Sequence, residues 1–134
     1  MFYTCSLSIP ANTGFDAPEE LRVDLTHGVI THVEVEFPAG CAGLVHTYAK
    51  HGLHQAWPTN PEGRFRSNGS TIAWAEYYEF FRDPYQLVLC GYNEDDTYPH
   101  TVAWRIELTD QEVAERGKSV GTFMDKVRLL LGLK

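Results

Sequence analysis

Alternation of apolar and polar residues is the feature of this sequence that most constrains its fold. In the segment THVEVEF, residues 31–37, the apolar residues Val33, Val35 and Phe37 alternate with polar ones. The segments FYTCSLSIP, YQLVLCGY and HTVAWRIEL repeat this period of two. Successive side chains of a strand point to opposite faces, so the pattern is typical of strands with one buried and one solvated face. The sequence therefore favours antiparallel sheets.

Seven or eight such strands follow one another at short spacing. The segments ANTGFDAPEE and PTNPEGRFRSNGS are rich in Gly, Pro, Asn and Ser, which is typical of exposed loops. The segment LVHTYAKHGLHQAWP predicts a hairpin that bends at residues 50–52. Together these features predict a mainly β domain over residues 1–108, an antiparallel β-sandwich of either the jelly-roll or the immunoglobulin-like (Ig-like) kind.

The pattern changes after Leu108. The segment TDQE, residues 109–112, matches the capping box of a helix start, and apolar residues then recur at helical spacing, interrupted near Gly117 and Gly121. We therefore predict a C-terminal amphipathic α-helix as a helical extension over residues 109–134. The apolar stripe of this helix consists of Val120, Phe123, Met124, Val127, Leu130 and Leu131.

A two-sheet sandwich already has a core, so the apolar stripe needs a separate partner. It can cover a sheet surface of its own domain or become buried against another molecule. At ~1.5–2 kcal/mol per fully buried side chain, the stripe contributes on the order of 10 kcal/mol before ordering costs. The first alternative predicts a cap on the domain. The second predicts a protein–protein interface in a homo-oligomer or larger array.

Composition and charge argue against several classes of partner. The chain of 134 residues has a net charge of −7 and only 11 Lys and Arg, which gives no basic face for nucleic acid. The sequence has no apolar run near the ~20 residues of a membrane span, and its start, MFYTCSLSIP, lacks the pattern of a signal peptide. We expect cytoplasmic synthesis and three free thiols, mostly buried: Cys5, Cys41 and Cys90.

The acidic segment NEDD, residues 93–96, has two interpretations. These residue types tolerate turn conformations and bond to their own backbone, so a connection between two strands would select them. Calcium needs six or more oxygen ligands, and this segment offers three or four without the spacing of an EF-hand. The alternative to a turn is therefore a weak cation site, with Ca²⁺ as the one cofactor considered. Its ligands would be Asn93, Glu94, Asp95 and Asp96.

The histidines raise the question of a transition-metal site. Zinc or iron enzymes need two or three nitrogens converging with a carboxylate, and a cupin carries two His one residue apart followed by Glu, a spacing that is absent here. His51 and His54 could meet across the predicted bend, and His46 could join them. Ordinary surface or sheet histidines are the alternative. The six histidines are His27, His32, His46, His51, His54 and His100.

Catalytic motifs are absent from the sequence. It contains no G-x-S-x-G elbow and no phosphate-binding loop. Glu34 and Glu36 lie two apart on one strand face and could imitate a glycosidase dyad, or they form a solvated face. Trp57, Trp74 and Tyr78 could form an aromatic platform for carbohydrate, or they belong to the core. We therefore predict no catalytic residues and no enzymatic activity.

Part of the sequence resembles a known class of virus proteins. The segment LTHGVITHVEVEFPAGCAGLVH, followed by HQAWPTNPEGRF, WAEYYEF and GYNEDDTYPHTVAWRIEL, is similar to small β-sandwich proteins encoded among the structural genes of tailed phages and related viruses. The resemblance covers about residues 21–108. It implies a non-enzymatic virion component, such as a capsid decoration (cement) protein held by its neighbours. The C-terminal helix is not a feature of those proteins.

Three functional hypotheses follow from these observations. The first is a structural assembly protein of a virion, made in the host cytoplasm, whose partners are copies of itself or a capsid-like array. An acidic surface suits this role because it resists non-specific association before assembly. The alternative is a carbohydrate-binding module that uses the aromatic residues. The third is a cupin-like metal enzyme.

Overall fold

The computed structural model describes residues 1–117, which contain eight β-strands and the start of one helix. The strands are β1 (Phe2–Ile9), β2 (Glu19–Asp24), β3 (Gly28–Glu36), β4 (Val45–His51), β5 (His54–Trp57), β6 (Thr71–Phe80), β7 (Gln86–Asn93) and β8 (His100–Thr109). They form two antiparallel four-stranded sheets, in the orders β1-β8-β3-β6 and β2-β7-β4-β5. The predicted antiparallel β-sandwich is confirmed.

Strand pairing decides between the two sandwich types. The first strand pairs with the last, β2 with β7, β3 with β6 and β4 with β5, so the pairs are nested along the chain. Eight strands in two such sheets form a jelly roll, whereas Ig-like sandwiches have seven or nine strands in a different distribution. The structure is therefore the jelly-roll alternative.

The core lies between the two sheets and follows the predicted alternation. Val33 and Val35 of β3 are fully buried, and so are Leu87 and Leu89 of β7. The inward residues of β8 are buried as predicted: Val102, Trp104, Ile106 and Leu108. Every residue of the main core cluster lies between residues 7 and 108. Within residues 1–117, the strands and their connections therefore supply this core.

Two buried side chains with polar groups, Trp104 and Thr47, make hydrogen bonds inside the sandwich. The indole Nε1 of Trp104 donates to Oγ1 of Thr47 at 3.1 Å, and the Thr47 hydroxyl donates to the carbonyl of Cys90 at 2.7 Å. Both Trp104 and Thr47 are fully buried. These two hydrogen bonds connect β8 with β4 and β7. They therefore join the two sheets, in addition to the apolar contacts of the core. All three cysteines are free; Cys41 and Cys90 are buried and Cys5 is half-buried.

Loops gather at the two ends of the sandwich. At one end, backbone bonds join Asn12 to Asp95 and Leu44 to Glu94, which brings loops 10–18, 37–44, 58–70 and 94–99 together. We call this the acidic-loop end. The other end carries loops 25–27, 52–53 and 81–85 and the residues after β8, and we call it the histidine end. The long loop 58–70 is mostly exposed, but Phe65 pairs with Thr47 and packs on the core.

Helix α1 begins at residue 111, at the histidine end. Its cap is Asp110, whose carboxylate accepts a hydrogen bond from the Glu112 amide at 3.0 Å. The capping box predicted at residues 109–112 is therefore one residue early: Thr109 belongs to β8, where its hydroxyl bonds to that of Thr31. The predicted interface residues Val120, Phe123, Met124, Val127, Leu130 and Leu131 lie outside the described residues.

Candidate functional site

A two-residue turn between β4 and β5 places two histidines opposite each other. His51 ends β4, His54 begins β5, and the two residues are paired across the hairpin. Gly52 has a φ of +64°, which suits the first central position of a type II′ turn, where glycine is preferred. The imidazole centroids of the two histidines are 5.7 Å apart. The predicted meeting of these histidines across the bend therefore occurs in the structure.

The hydroxyl of Tyr78, on β6 of the opposite sheet, lies between the two imidazoles. It is 2.8 Å from Nδ1 of His51 and 3.1 Å from Nε2 of His54. Two nitrogens and one oxygen from both sheets thus converge at the histidine end. We call His51, His54 and Tyr78 the His–Tyr–His cluster.

Surrounding groups fix the orientation and tautomer of His51. Its ring stacks on the fully buried Phe80 with centroids 4.5 Å apart, and its Nε2 lies 2.9 Å from the carbonyl oxygen of Pro84. A carbonyl only accepts hydrogen bonds, so Nε2 of His51 carries a proton and donates. In neutral His51 the lone pair is then on Nδ1, directed at the Tyr78 hydroxyl, which donates to it.

The second imidazole completes a chain of hydrogen bonds. Because the Tyr78 hydroxyl uses its proton toward His51, its oxygen accepts from Nε2 of His54. His54 is exposed, whereas His51 and Tyr78 are half-buried. Burial, with a further contribution from Glu76, raises the pKa of the Tyr78 phenol. The series of hydrogen bonds runs from solvent at His54 to the backbone at Pro84.

A cavity of about 620 Å³ opens beside the cluster. It is lined by the three cluster residues and by the loop between β6 and β7, which includes Arg82 and Asp83. Leu53, at the tip of the turn, is fully exposed on the rim. A second cavity of about 640 Å³ is lined by residues 24–25 and 83–86, which include no histidine. The cluster is thus reachable by small molecules and ions.

At the acidic-loop end, three residues of the predicted cation site, Asn93, Asp95 and Asp96, make hydrogen bonds within the loops. Asn93 is 1% exposed, donates to the carbonyls of Ile9 and Tyr98, and accepts from the Asp95 amide. Asp95 accepts from the amides of Thr97 and Tyr98 and from Nε2 of His100 at 2.8 Å. These bonds, with that from His100 as the largest cause, hold the pKa of Asp95 below its usual value.

The other two acids of the segment also have partners. Asp96 accepts from the Thr97 hydroxyl, and Oε1 of Glu94 lies 2.8 Å from Nε2 of His46. Residues 1–117 contain no group of three or more His, Cys, Asp or Glu side chains arranged to hold a metal ion. Hydrogen bonds of the loop therefore engage the side chains of Asn93, Asp95 and Asp96, whereas the Glu94 side chain lies beside His46.

The remaining histidines are separated from one another. His46, proposed as a third member with His51 and His54, instead stacks on Tyr92 with centroids 4.4 Å apart. His27 stacks on Phe81 and bonds to Gln111 of α1 at 2.7 Å. Burial lowers the pKa of His46, and this effect exceeds the opposing one of nearby Glu94.

The predicted aromatic residues do not share an exposed face. Trp57 is 2% exposed and donates from Nε1 to Glu76, and Trp74 packs edge-on against it with centroids 6.2 Å apart. Trp74 and Tyr78 are half-buried and pack on the core cluster. A carbohydrate platform needs ring faces open to solvent. The structure gives Trp57 the core role that was the alternative, and Trp74 and Tyr78 pack against the same core.

The Glu34–Glu36 pair lies on the outer face of the first sheet and is bound by one arginine. Arg105 approaches Glu34 at 3.3 Å and Glu36 at 2.6 Å. A hydrogen bond from His32, with further contributions from Arg105, lowers the pKa of Glu34. The general acid of a glycosidase requires a raised pKa. The pair is therefore an ion-paired strand face, the second of the two interpretations.

The sequence indicated two of the three residues of the His–Tyr–His cluster. The H-x-x-H spacing across a predicted bend identified His51 and His54. Tyr78 is separated from His51 by 27 positions in the sequence and was considered only as an aromatic residue. Its role depends on the stacking of the two sheets, which no local pattern encodes. The carbonyl of Pro84 could not be found from residue type either, because every residue carries one.

Comparison with known proteins identifies no relative of established function. No family model matches the chain, and no curated protein matches it. Among solved structures, the chain is similar to a de novo designed double-stranded β-helix determined by solution NMR. The two share 15% identity, with a TM-score of 0.40, over 78% of this chain and 99% of the designed one. No helix of the described residues is long and apolar enough to cross a membrane.

Proposed function

We propose that this protein is a non-enzymatic structural protein, a jelly-roll unit that assembles with copies of itself through its C-terminal segment. The observation that carries the proposal is the exposure of Val113. In the first turn of α1, Val113 is 51% exposed, whereas the next residue, Ala114, is 8% exposed. The described part of the helix thus turns a small residue inward and a large apolar residue toward solvent.

Sequence spacing relates Val113 to the apolar stripe. Residues seven apart lie on nearly the same face of a continuous helix, and Val120 and Val127 follow Val113 by seven and fourteen positions. This spacing and the exposure of Val113 support an apolar stripe that contacts another copy of the chain, since a large exposed apolar patch usually marks an interface.

A finer proposal concerns the assembly in which the protein serves. The segments that resemble virion proteins of tailed phages support a component of a virus particle, such as a capsid decoration protein. The identity of the genes that flank the gene of this protein tests the proposal of a virion component. We expect capsid, portal or tail genes as neighbours, and a gene neighbourhood of metabolic enzymes would contradict it.

Paired substitutions in the C-terminal segment test self-association. In the double variant Phe123→Ser/Leu130→Ser, loss of apolar contact should shift the protein from oligomer to monomer. The matched control is Lys126→Ser/Arg128→Ser, which changes the polar side of the predicted helix and should leave the oligomer intact. Sedimentation equilibrium over a range of concentrations measures both. A full chain that is monomeric at every concentration, or equal association by both double variants, would contradict the proposal.

A further inference from the structure

We propose that the His–Tyr–His cluster binds a first-row divalent transition-metal ion, with Cu²⁺ as the best fit, through Nδ1 of His51, Nε2 of His54 and the phenol oxygen of Tyr78. The inference goes beyond the assembly function and does not depend on it. It rests on the convergence of these three atoms, on the groups that orient His51, and on the adjoining cavity.

Two of the distances between the donor atoms match those of neighbouring ligands around one ion. Bonds from such ions to imidazole nitrogen or to oxygen are about 2.0–2.2 Å long, so two donors at right angles about the ion lie about 3 Å apart. The Tyr78 oxygen is 2.8 Å from Nδ1 of His51 and 3.1 Å from Nε2 of His54. Angles near 90° between nitrogen and oxygen ligands are typical of tetragonal Cu²⁺ or Ni²⁺ sites, and Cu²⁺ binds most strongly in this series.

The hydrogen bond between His51 and Pro84 has the form expected of a metal-binding histidine. Ligating histidines usually donate their other ring N–H to a carbonyl or carboxylate, which fixes the ring and directs the free lone pair at the metal. Nε2 of His51 lies 2.9 Å from the Pro84 carbonyl, and Phe80 stacks on the ring. The lone pair on Nδ1 is therefore already directed at the cluster.

The other two donors can adapt to an ion. His54 is exposed, so solvent can exchange its ring proton and free Nε2 to coordinate. The phenol of Tyr78 releases its proton as the metal–oxygen bond forms, since metal ligands bind in their deprotonated form. The cavity of about 620 Å³ provides an entry path and room for water or a small ligand at the remaining coordination positions.

Copper binding to the full-length, tag-free protein tests the inference. Titration calorimetry should detect a single Cu²⁺ ion per chain, and a phenolate-to-copper charge-transfer band should appear in the visible spectrum. Tyr78→Phe keeps the packed ring but removes the oxygen, so the band should vanish and affinity should fall at least about tenfold. His54→Ala, at an exposed position, should also lower affinity at least about tenfold.

His32→Ala is the matched control, since His32 is a half-buried histidine bonded to Glu34 on an outer sheet face. This variant should bind copper as the unmodified protein does. Equal affinity in the unmodified protein, His54→Ala and Tyr78→Phe would overturn the inference and place any ion elsewhere. Binding that persists without the charge-transfer band would overturn the role of Tyr78, and no binding at micromolar copper would overturn the site itself.

Discussion

The two ends of the sandwich use similar polar residues in different ways. At the acidic-loop end, the side chains of Asn93 and Asp95 bond to backbone groups of their own and neighbouring loops, so the polar residues build the turn. At the histidine end, His51, His54 and Tyr78 bond mainly to one another beside an open cavity. The comparison shows that hydrogen bonds of a turn can engage most of a dense run of acids, whereas the three side chains of the cluster face one another beside a cavity.

The substitution with the largest expected effect on stability tests whether the polar residues of the acidic-loop end stabilise the fold. Asn93→Ala removes a buried side chain with three hydrogen bonds and leaves their partners unpaired, which should lower the free energy of unfolding by about 3 kcal/mol. Urea denaturation measures it. Asp96→Ala, at an exposed position of the same loop, is the control and should change stability by less than about 0.5 kcal/mol. Equal effects of the two variants would remove the distinction between the ends.

A smaller effect is expected at the histidine end. Tyr78→Phe removes the hydroxyl that joins His51 to His54 but keeps the ring in the core, so unfolding should become easier by about 1 kcal/mol. Tyr98→Phe, whose side chain is exposed at the other end, should be nearly neutral under the same denaturation assay. A decrease of about 3 kcal/mol in the free energy of unfolding of Tyr78→Phe would mean that the cluster contributes as much to stability as the acidic loop.

The smallest effect concerns pH. Burial lowers the pKa of His46 in the folded state, so the unfolded chain binds the proton more readily. The stability contribution of neutral His46 is present above its unfolded pKa of about 6.5 and is lost as pH falls below that value. Between pH 7 and pH 5, the melting temperature measured by thermal unfolding should therefore fall less steeply in His46→Gln than in the unmodified protein.

A second variant sharpens the same measurement. Glu94 opposes the effect of burial on His46, so Glu94→Gln should make the decline in stability between pH 7 and pH 5 steeper. Identical pH profiles for His46→Gln and the unmodified protein would show that His46 is not the titrating group.

Local patterns were sufficient for most of the strands and insufficient for the contacts between loops. Val33 and Val35 could be placed inward because the period of a strand is a local property that depends only on neighbouring residues. The helix start was predicted one residue early because Thr109 and Asp110 are both good caps. Pairing of Thr109 with Thr31 across the sheet decided between them, and that contact lies 78 residues away in sequence.

Alternation in the sequence is sufficient to predict an antiparallel sandwich with an apolar core, because it commits one face of each strand to burial. The nested strand pairing of a jelly roll, and the meeting of Tyr78 with His51 and His54, depend on the tertiary structure. These contacts join residues of two different sheets. These contacts form only when the two sheets stack. The free energy of stacking comes from burial of the apolar core, not from the polar residues that stacking brings together.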